Sequence, residues 1–244
     1  MNETVIVVTG AAPLDPDAVA HLPDGAIVLA ADGGLDRALA AGLTPAGLVG
    51  DLDSVSADGL AWAEEHATIE RHDPAKDRTD TELTLAMAAS FAPARLILIA
   101  GPGDRLDHTL AAIGALGTSA LTGIPLVEGW WGDERFHVVH GPGQIELASH
   151  AGMTISLLAT HGPCSGVTIT GVEWPLDHAD LAAAIGLGIS NLATGDTVAI
   201  RVSSGVLTVF SHPPAMASDT VIRDTGTSDT LTGAPTDAET EETP

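Results

Sequence analysis

From residue 5 to about residue 126 the chain alternates short apolar runs with segments of helical pattern, and this alternation restricts the fold more than any other feature. The runs are VIVV, AIVLA, GLVG, TIERH and LILIA, and the segments between them include LDRALAAG, ADGLAWAEEHA, DTELTLAMAASF and DHTLAAIGALG. Strands separated by helices lie parallel, in a sheet covered on both faces. All such strands end on one edge, and the connecting loops gather there. The predicted class is α/β, with a parallel-sheet domain over residues 1–126.

Carboxylates recur in those loops. Asp32-Gly33-Gly34 follows AIVLAA, and Asp51 and Asp53 follow GLVG. The run Lys76-Asp77-Arg78-Thr79-Asp80-Thr81-Glu82 follows TIERH, and Gly103-Asp104-Arg105-Leu106-Asp107-His108 follows LILIAG. Open α/β sheets hold their ligands at this edge. Like charges packed together raise one another's pKa unless a cation neutralises them. Hard oxygen ligands suit Mg²⁺, which commonly grips a substrate's phosphates as well. The pattern points to magnesium-dependent phosphoryl transfer.

Composition narrows the partners. A formal net charge of −24 argues against nucleic acid and against an anionic membrane. A small anion such as ATP stays compatible, because its charge is met locally. Lys76, the only lysine, sits inside the third acidic loop, and Arg37, Arg71, Arg78 and Arg105 lie in or beside the same loops. Surface ion pairing is the plain alternative for these arginines. A hydrophobic content of 45% excludes a disordered chain, and no apolar run approaches the roughly 20 residues of a membrane span. MNETVIVVTG lacks a basic leader region and reads as a first strand. The single cysteine, Cys164, permits no internal disulfide and fits a reducing cytoplasm.

Residues 127–213 have a different texture. RFHVVH, QIELAS, MTISLLA, VTITGVEW, TVAIRV and VLTVF are separated by Gly, Pro and Asp turns, which predicts a mostly antiparallel β domain. His178 to Gly188 reads as its one helix. Residues 214–244 are rich in Thr, Asp, Glu, Gly and Pro, and are expected to form a disordered acidic tail.

Each motif also has a plainer reading. Asp51 and Asp53 share one side only if the backbone stays extended; otherwise they belong to a turn that Ser54 ends. Thr79 and Glu82 have capping-box spacing, although a helix N-terminus is equally a phosphate site. Gly101-Pro102-Gly103 is neither a P-loop nor a full Rossmann fingerprint. Arg105 suits phosphate oxygens, whereas Asp107 and His108 fit the first turn of a helix. Ser190-Asn191 reads first as a helix-end cap, and Trp174 as a core or interface aromatic. The histidines lack zinc spacing, and no GxSxG elbow occurs.

Taken in order, ADGGLDRALAAGLTPAGLVGDLDS, KDRTDTEL, GPGDRLDH and then GVEWPL and GISN resemble the bacterial thiamine pyrophosphokinases, from about residue 30 to 210. The resemblance implies an N-terminal α/β catalytic domain, a C-terminal β-sandwich that binds thiamine, and a homodimer with sites at the subunit interface. It implies transfer of the pyrophosphoryl group of ATP to the thiamine hydroxyl, giving thiamine diphosphate and AMP. Position by position, it makes Asp51, Asp53 and Asp80 the Mg²⁺ site, with Asp32 and Asp77 as supporting carboxylates. Arg105 and Asp107 fall where the family contacts ATP, and Gly33, Gly34, Lys76, Thr79 and His108 lie in the same blocks. Ser190 and Asn191 match the family's thiamine-site pair, with Trp174 an aromatic of that domain. Either Asp53 or Asp77 is expected to accept the hydroxyl proton. Three positions depart from the family pattern: Asp104 replaces a glycine, Leu192 a glutamate, and Leu35 an alanine. Two other readings are open at this stage: pyrophosphoryl transfer to another hydroxymethyl heterocycle such as a pterin, and a catalytically inactive nucleotide-binding protein.

Overall fold

The computed structural model of the chain describes residues 3–103 and 105–212. The expected tail and the Asp104 departure lie outside the described residues.

Six strands build the parallel part: β1 (Thr4–Val8), β2 (Ile27–Ala31), β3 (Gly47–Gly50), β4 (Thr68–Arg71), β5 (Arg95–Ala100) and β6 (Leu126–Trp131). Between them lie α1 (Pro16–Ala20), α2 (Gly34–Ala40), α3 (Ala57–His66), α4 (Asp80–Ser90) and α5 (Leu106–Ala115). After β6 come β7 (Glu134–His140), β8 (Gly143–Ala148), β9 (Thr154–Leu158), β10 (Cys164–Thr170), β11 (Leu176–Leu181), β12 (Asn191–Leu192), β13 (Thr197–Val202) and β14 (Val206–His212).

One ten-stranded sheet runs β4-β3-β2-β1-β5-β6-β7-β14-β9-β12, and a second sheet runs β11-β10-β13-β8. The chain winds outward from β1 through β2, β3 and β4, then returns to place β5 and β6 on the other side of β1. This reversal makes a switch point between β1 and β5, where a crevice opens at the strands' carboxyl ends. Beyond β6 the pairing becomes antiparallel. The four-stranded sheet packs on that limb, with Ile145, Val167, Ile169, Val198 and Ile200 meeting Ile155, Leu157, Leu207 and Val209 in one core.

The central strands are apolar on both sides because both faces are covered. Val5, Val7, Leu96 and Leu98 pack against Leu85 and Ala88 of α4 and Ala112 of α5. Ile6, Val8, Ile97 and Ile99 face Ala18 of α1 and Ala38 of α2. Helix starts follow local chemistry. Asp15 accepts from the N–H groups of Asp17 and Ala18 ahead of α1, and Ser56 accepts from Gly59 N–H at α3. The capping box forms as predicted: Glu82 N–H donates to Thr79 Oγ1 at 3.2 Å, and Thr79 N–H donates to Glu82 Oε2 at 2.7 Å. Helix α2 has no side-chain cap. It begins on Gly33 and Gly34, and a Cβ at Gly34 would lie 2.2 Å from the Val8 carbonyl oxygen. Only glycine lets this helix start so close to β1.

The helix expected over His178 to Gly188 does not form. Its first part belongs to β11, paired antiparallel with β10 through Val167 and Ala179. The remainder is a loop with positive φ at Ala184 (57°) and Gly188 (99°). Cross-strand pairing with β10 draws the residues up to Leu181 into a strand and overrides their helical pattern. Among the described residues no helix is long and apolar enough to cross a membrane.

Candidate active site

A cavity of about 560 Å³ opens at the carboxyl edge, over the switch point. Thr9 and Gly10 enter it from the end of β1, and Asp32 and Gly33 from the end of β2. The capped start of α4 supplies Thr79, Asp80 and Thr81, while α5 supplies His108 and Thr109 and the end of β6 supplies Trp131.

At one side of the cavity three loops bring carboxylates together. Asp32, Asp51 and Asp80 each offer one oxygen, and these oxygens lie within 4.8 Å of one another. Asp32 takes a positive φ of 47° while its N–H donates to Val49 O at 2.9 Å, which ties the end of β2 to β3. Gly50 leaves the space in which they meet, since a Cβ there would lie 2.9 Å from Asp80 Oδ1 and 3.1 Å from Asp32 Cβ. Asp80 is fixed as the first residue of the capped helix.

Lys76 answers part of this charge. Its ammonium donates to Asp51 Oδ2 at 2.9 Å and lies 2.9 Å from Asp80 Oδ1. The second contact is an ion pair. Among the described residues, Asp80 Oδ1 and Asp32 Oδ1 are both buried without a hydrogen-bond partner. Hydrogen bonding from Lys76 holds the Asp51 carboxyl below its usual range. Burial raises the pKa of Asp32, and the nearby Asp80 and Asp53 charges add to the rise against hydrogen bonds from Gly33 and Ser54. Burial works against the charge on Lys76, but its bonds to Asp51 and Asp80 outweigh it and raise its pKa. Three carboxylates face one ammonium, which leaves an excess of negative charge in the cluster. That donor set fits a hard divalent cation.

The other predicted residues fall in several places. Asp53 stays outside the triplet: Leu52 turns the chain at φ 69°, so the extended geometry that would align Asp51 with Asp53 is broken. Its exposed carboxylate accepts from Ser54 Oγ at 2.9 Å. Asp77 is exposed on the turn before α4. Arg105 and Asp107 form a two-point surface pair, at 3.1 and 2.6 Å, which lowers the Asp107 pKa. Gly34 is buried beneath the crevice.

Trp174, Ser190 and Asn191 belong to the far end of the ten-stranded sheet. Asn191 Oδ1 accepts from Trp174 N–H at 3.1 Å, and its Nδ2 donates to Trp174 O at 2.6 Å. Buried Asn191 thus fixes the backbone of a tryptophan whose side chain stays exposed. Ser190 sits at φ 59°, its N–H donating to Ser156 Oγ. The pair is not a helix cap. Seven inter-strand steps separate β12 from β2; at about 4.8 Å each they span roughly 34 Å along the sheet.

Sequence reasoning passed over Thr9, Asp36 and Trp131. Thr9-Gly10 directly follows the first apolar run, the same signal that picked out Asp32. Trp131 was hidden by placing the change of texture at 126, although LVEGWW is itself an apolar run after a helix.

A doubly wound sheet with carboxylates gathered along its carboxyl edge beside the switch point, extended into an antiparallel sandwich, defines a class of α/β enzyme. Residues 21–127 match the thiamin pyrophosphokinase catalytic domain and residues 143–207 the thiamin pyrophosphokinase vitamin B1 binding domain. The chain belongs to the thiamin pyrophosphokinase family. A thiamine pyrophosphokinase of Bacillus subtilis is 27% identical over 202 residues, covering 78% of this chain and 89% of that protein. The fold is shared with solved structures. The crystal structure of a Bacillus subtilis thiamine pyrophosphokinase superposes with a TM-score of 0.71 at 23% identity, covering 85% of this chain and 98% of that one. That of a thiamin pyrophosphokinase from Candida albicans gives 0.67 at 14% identity, covering 85% and 89%.

Proposed function

We propose that this chain, a thiamine diphosphokinase by family, transfers the pyrophosphoryl group of ATP to the hydroxyl of thiamine, yielding thiamine diphosphate and AMP. The observation that carries the reading is the triplet of Asp32, Asp51 and Asp80, two of whose members, Asp32 and Asp80, line a cavity beside a capped helix N-terminus. These three residues would hold Mg²⁺. Bound there, the ion supplies charge neutralisation and alignment of phosphate oxygens. The N-terminal turn of α4 directs backbone N–H groups and the positive end of its dipole into the same space. Lys76 keeps the cluster compact. Asp53 and Asp77, exposed on the flanking turns, are the carboxylates available for the thiamine hydroxyl proton.

Thiamine is recognised at the other end of the sheet. The exposed indole of Trp174, held by Asn191, offers a face to a positively charged heterocycle. A gap of roughly 34 Å is too long for one small substrate to bridge, which supports a homodimer in which one copy brings Trp174 to its partner's carboxylates. Ile185, Leu187 and Ile189 are exposed near Trp174 in the chain, and Leu106 and Leu110 on α5. A second copy would cover these apolar side chains. The test is product analysis with purified protein, ATP and MgCl₂. AMP and thiamine diphosphate are expected only when thiamine is present. ADP with thiamine monophosphate, or nucleotide turnover independent of thiamine, would overturn the reading.

A further inference from the structure

The cavity has a second polar wall, on the β1 and α2 side, that the carboxylate chemistry does not use. Arg37 is the only lysine or arginine lining the cavity among the described residues. Its Nε donates to Gly10 O at 3.4 Å, the long limit of a hydrogen bond, and its two terminal nitrogens have no partner among the described residues. The neighbouring carboxylate is committed elsewhere: Asp36 accepts from Ser56 N–H at 2.8 Å and from Ser56 Oγ at 2.6 Å. Thr9, on the same wall, is 6% exposed, and its Oγ1 is buried without a hydrogen-bond partner among the described residues.

The fold uses Arg37 only through its long Nε bond to Gly10 and makes no use of the Thr9 hydroxyl among the described residues. A guanidinium fork left open beside a cavity matches phosphate oxygens in shape and charge. A buried hydroxyl without a partner is a cost that donation to a ligand removes. We propose that Thr9 and Arg37 form a phosphate-binding wall that takes nucleotide phosphate oxygens not directed at Asp32, Asp51 and Asp80. The assignment rests on ATP being the donor. It gives the otherwise carboxylate-rich cavity a direct cationic contact, so the phosphate chain is gripped from two sides.

Calorimetric titration of ATP with MgCl₂, without thiamine, tests this on the wild type, Arg37→Ala, Arg37→Lys and Thr9→Val. Arg37→Ala should weaken ATP about tenfold or more, and Thr9→Val about threefold, the scale of one charged and one neutral hydrogen bond. Arg37→Lys should recover part of the loss. Thr9→Val should melt no lower than wild type, because it removes an unpartnered buried hydroxyl; a purely structural role predicts a lower melting temperature instead. Steady-state kinetics should raise the KM for ATP and leave that for thiamine unchanged. ATP affinity within twofold of wild type in both Arg37→Ala and Thr9→Val would overturn the wall. If Arg37→Ala does not fold, Arg37→Lys and Thr9→Val decide. Failure here is separable from failure of the transfer reaction: a wild type that binds ATP without making thiamine diphosphate removes the reaction and leaves the wall, whereas indifferent variants remove the wall alone.

Discussion

At the carboxyl edge of β1 to β4 three carboxylates converge on one ammonium; among the described residues Asp32 Oδ1 is buried with no hydrogen-bond partner, and Asp80 Oδ1 meets only the Lys76 ammonium. At the β12 end of the same sheet a single neutral amide, Asn191, satisfies both the N–H and the carbonyl of Trp174, and the polar groups are fully used. The first arrangement is electrostatically incomplete and asks for an external cation. The second is complete in itself and spends its polarity on holding an aromatic ring in the open. Charge converges where phosphate chemistry is proposed, whereas a neutral amide holds the backbone of the aromatic ring where a cationic ring is proposed to dock.

Neutralising the charged end should have the largest effect. Asp80→Asn is expected to lower the rate by roughly 10²-fold or more, the scale of losing a key electrostatic group. Its melting temperature should not fall, since like-charge repulsion is relieved. Near-normal turnover at saturating MgCl₂ would show that the triplet is not the metal site.

The neutral end should respond in the opposite sense. Asn191→Ala strands two backbone groups of Trp174 and is expected to cost about 1–3 kcal/mol of stability. It should raise the KM for thiamine several-fold and leave ATP binding unchanged. A shift in ATP affinity instead would erase the proposed division of labour between the two ends.

The smallest effect concerns the seam joining the two ends. His140 Nε2 lies 2.9 Å from Leu116 O at the end of α5, and His161 packs against Gly117. Burial lowers the pKa of both, and the charge of His140 pushes His161 further down. Fully buried His137 is lowered by the same cause. With folded pKa values below the unfolded value of about 6.5, the unfolded chain takes up protons first as pH falls. Stability should be complete above about pH 7 and decline as pH drops through 6.5 toward the folded pKa values. Melting curves should show this decline, and it should be shallower in His140→Gln/His161→Gln. A pH-independent melting temperature between 7 and 5.5 would contradict the assignment.

The parallel half was legible because its elements and site residues share one local signal, an apolar run followed by a loop. Asp32, Asp51, Thr79 and Asp80 all sit where that signal places them. Asp53 escaped it because a single left-handed residue, Leu52, turns one carboxylate away, and alternation along a sequence does not reveal a positive φ. The distant end was less legible for a different reason. Asn191 acts through a backbone 17 residues away, and the strand at Leu176–Leu181 exists only because β10 is beside it. Long-range pairing of this kind leaves little local trace.

The claim that joins the two ends is that a working site takes its carboxylates from one copy and Trp174 from another. Mixing Asp51→Asn protein with Trp174→Ala protein, each inactive alone, tests it directly once subunit exchange has been verified by mass. Random pairing makes half of the dimers mixed, and one of the two sites in each mixed dimer is wholly native. Activity should therefore return to at most about a quarter of wild type, by the two-fold symmetry of such a dimer. Verified exchange with no returning activity would show that the site is built within one chain, and would contradict the account.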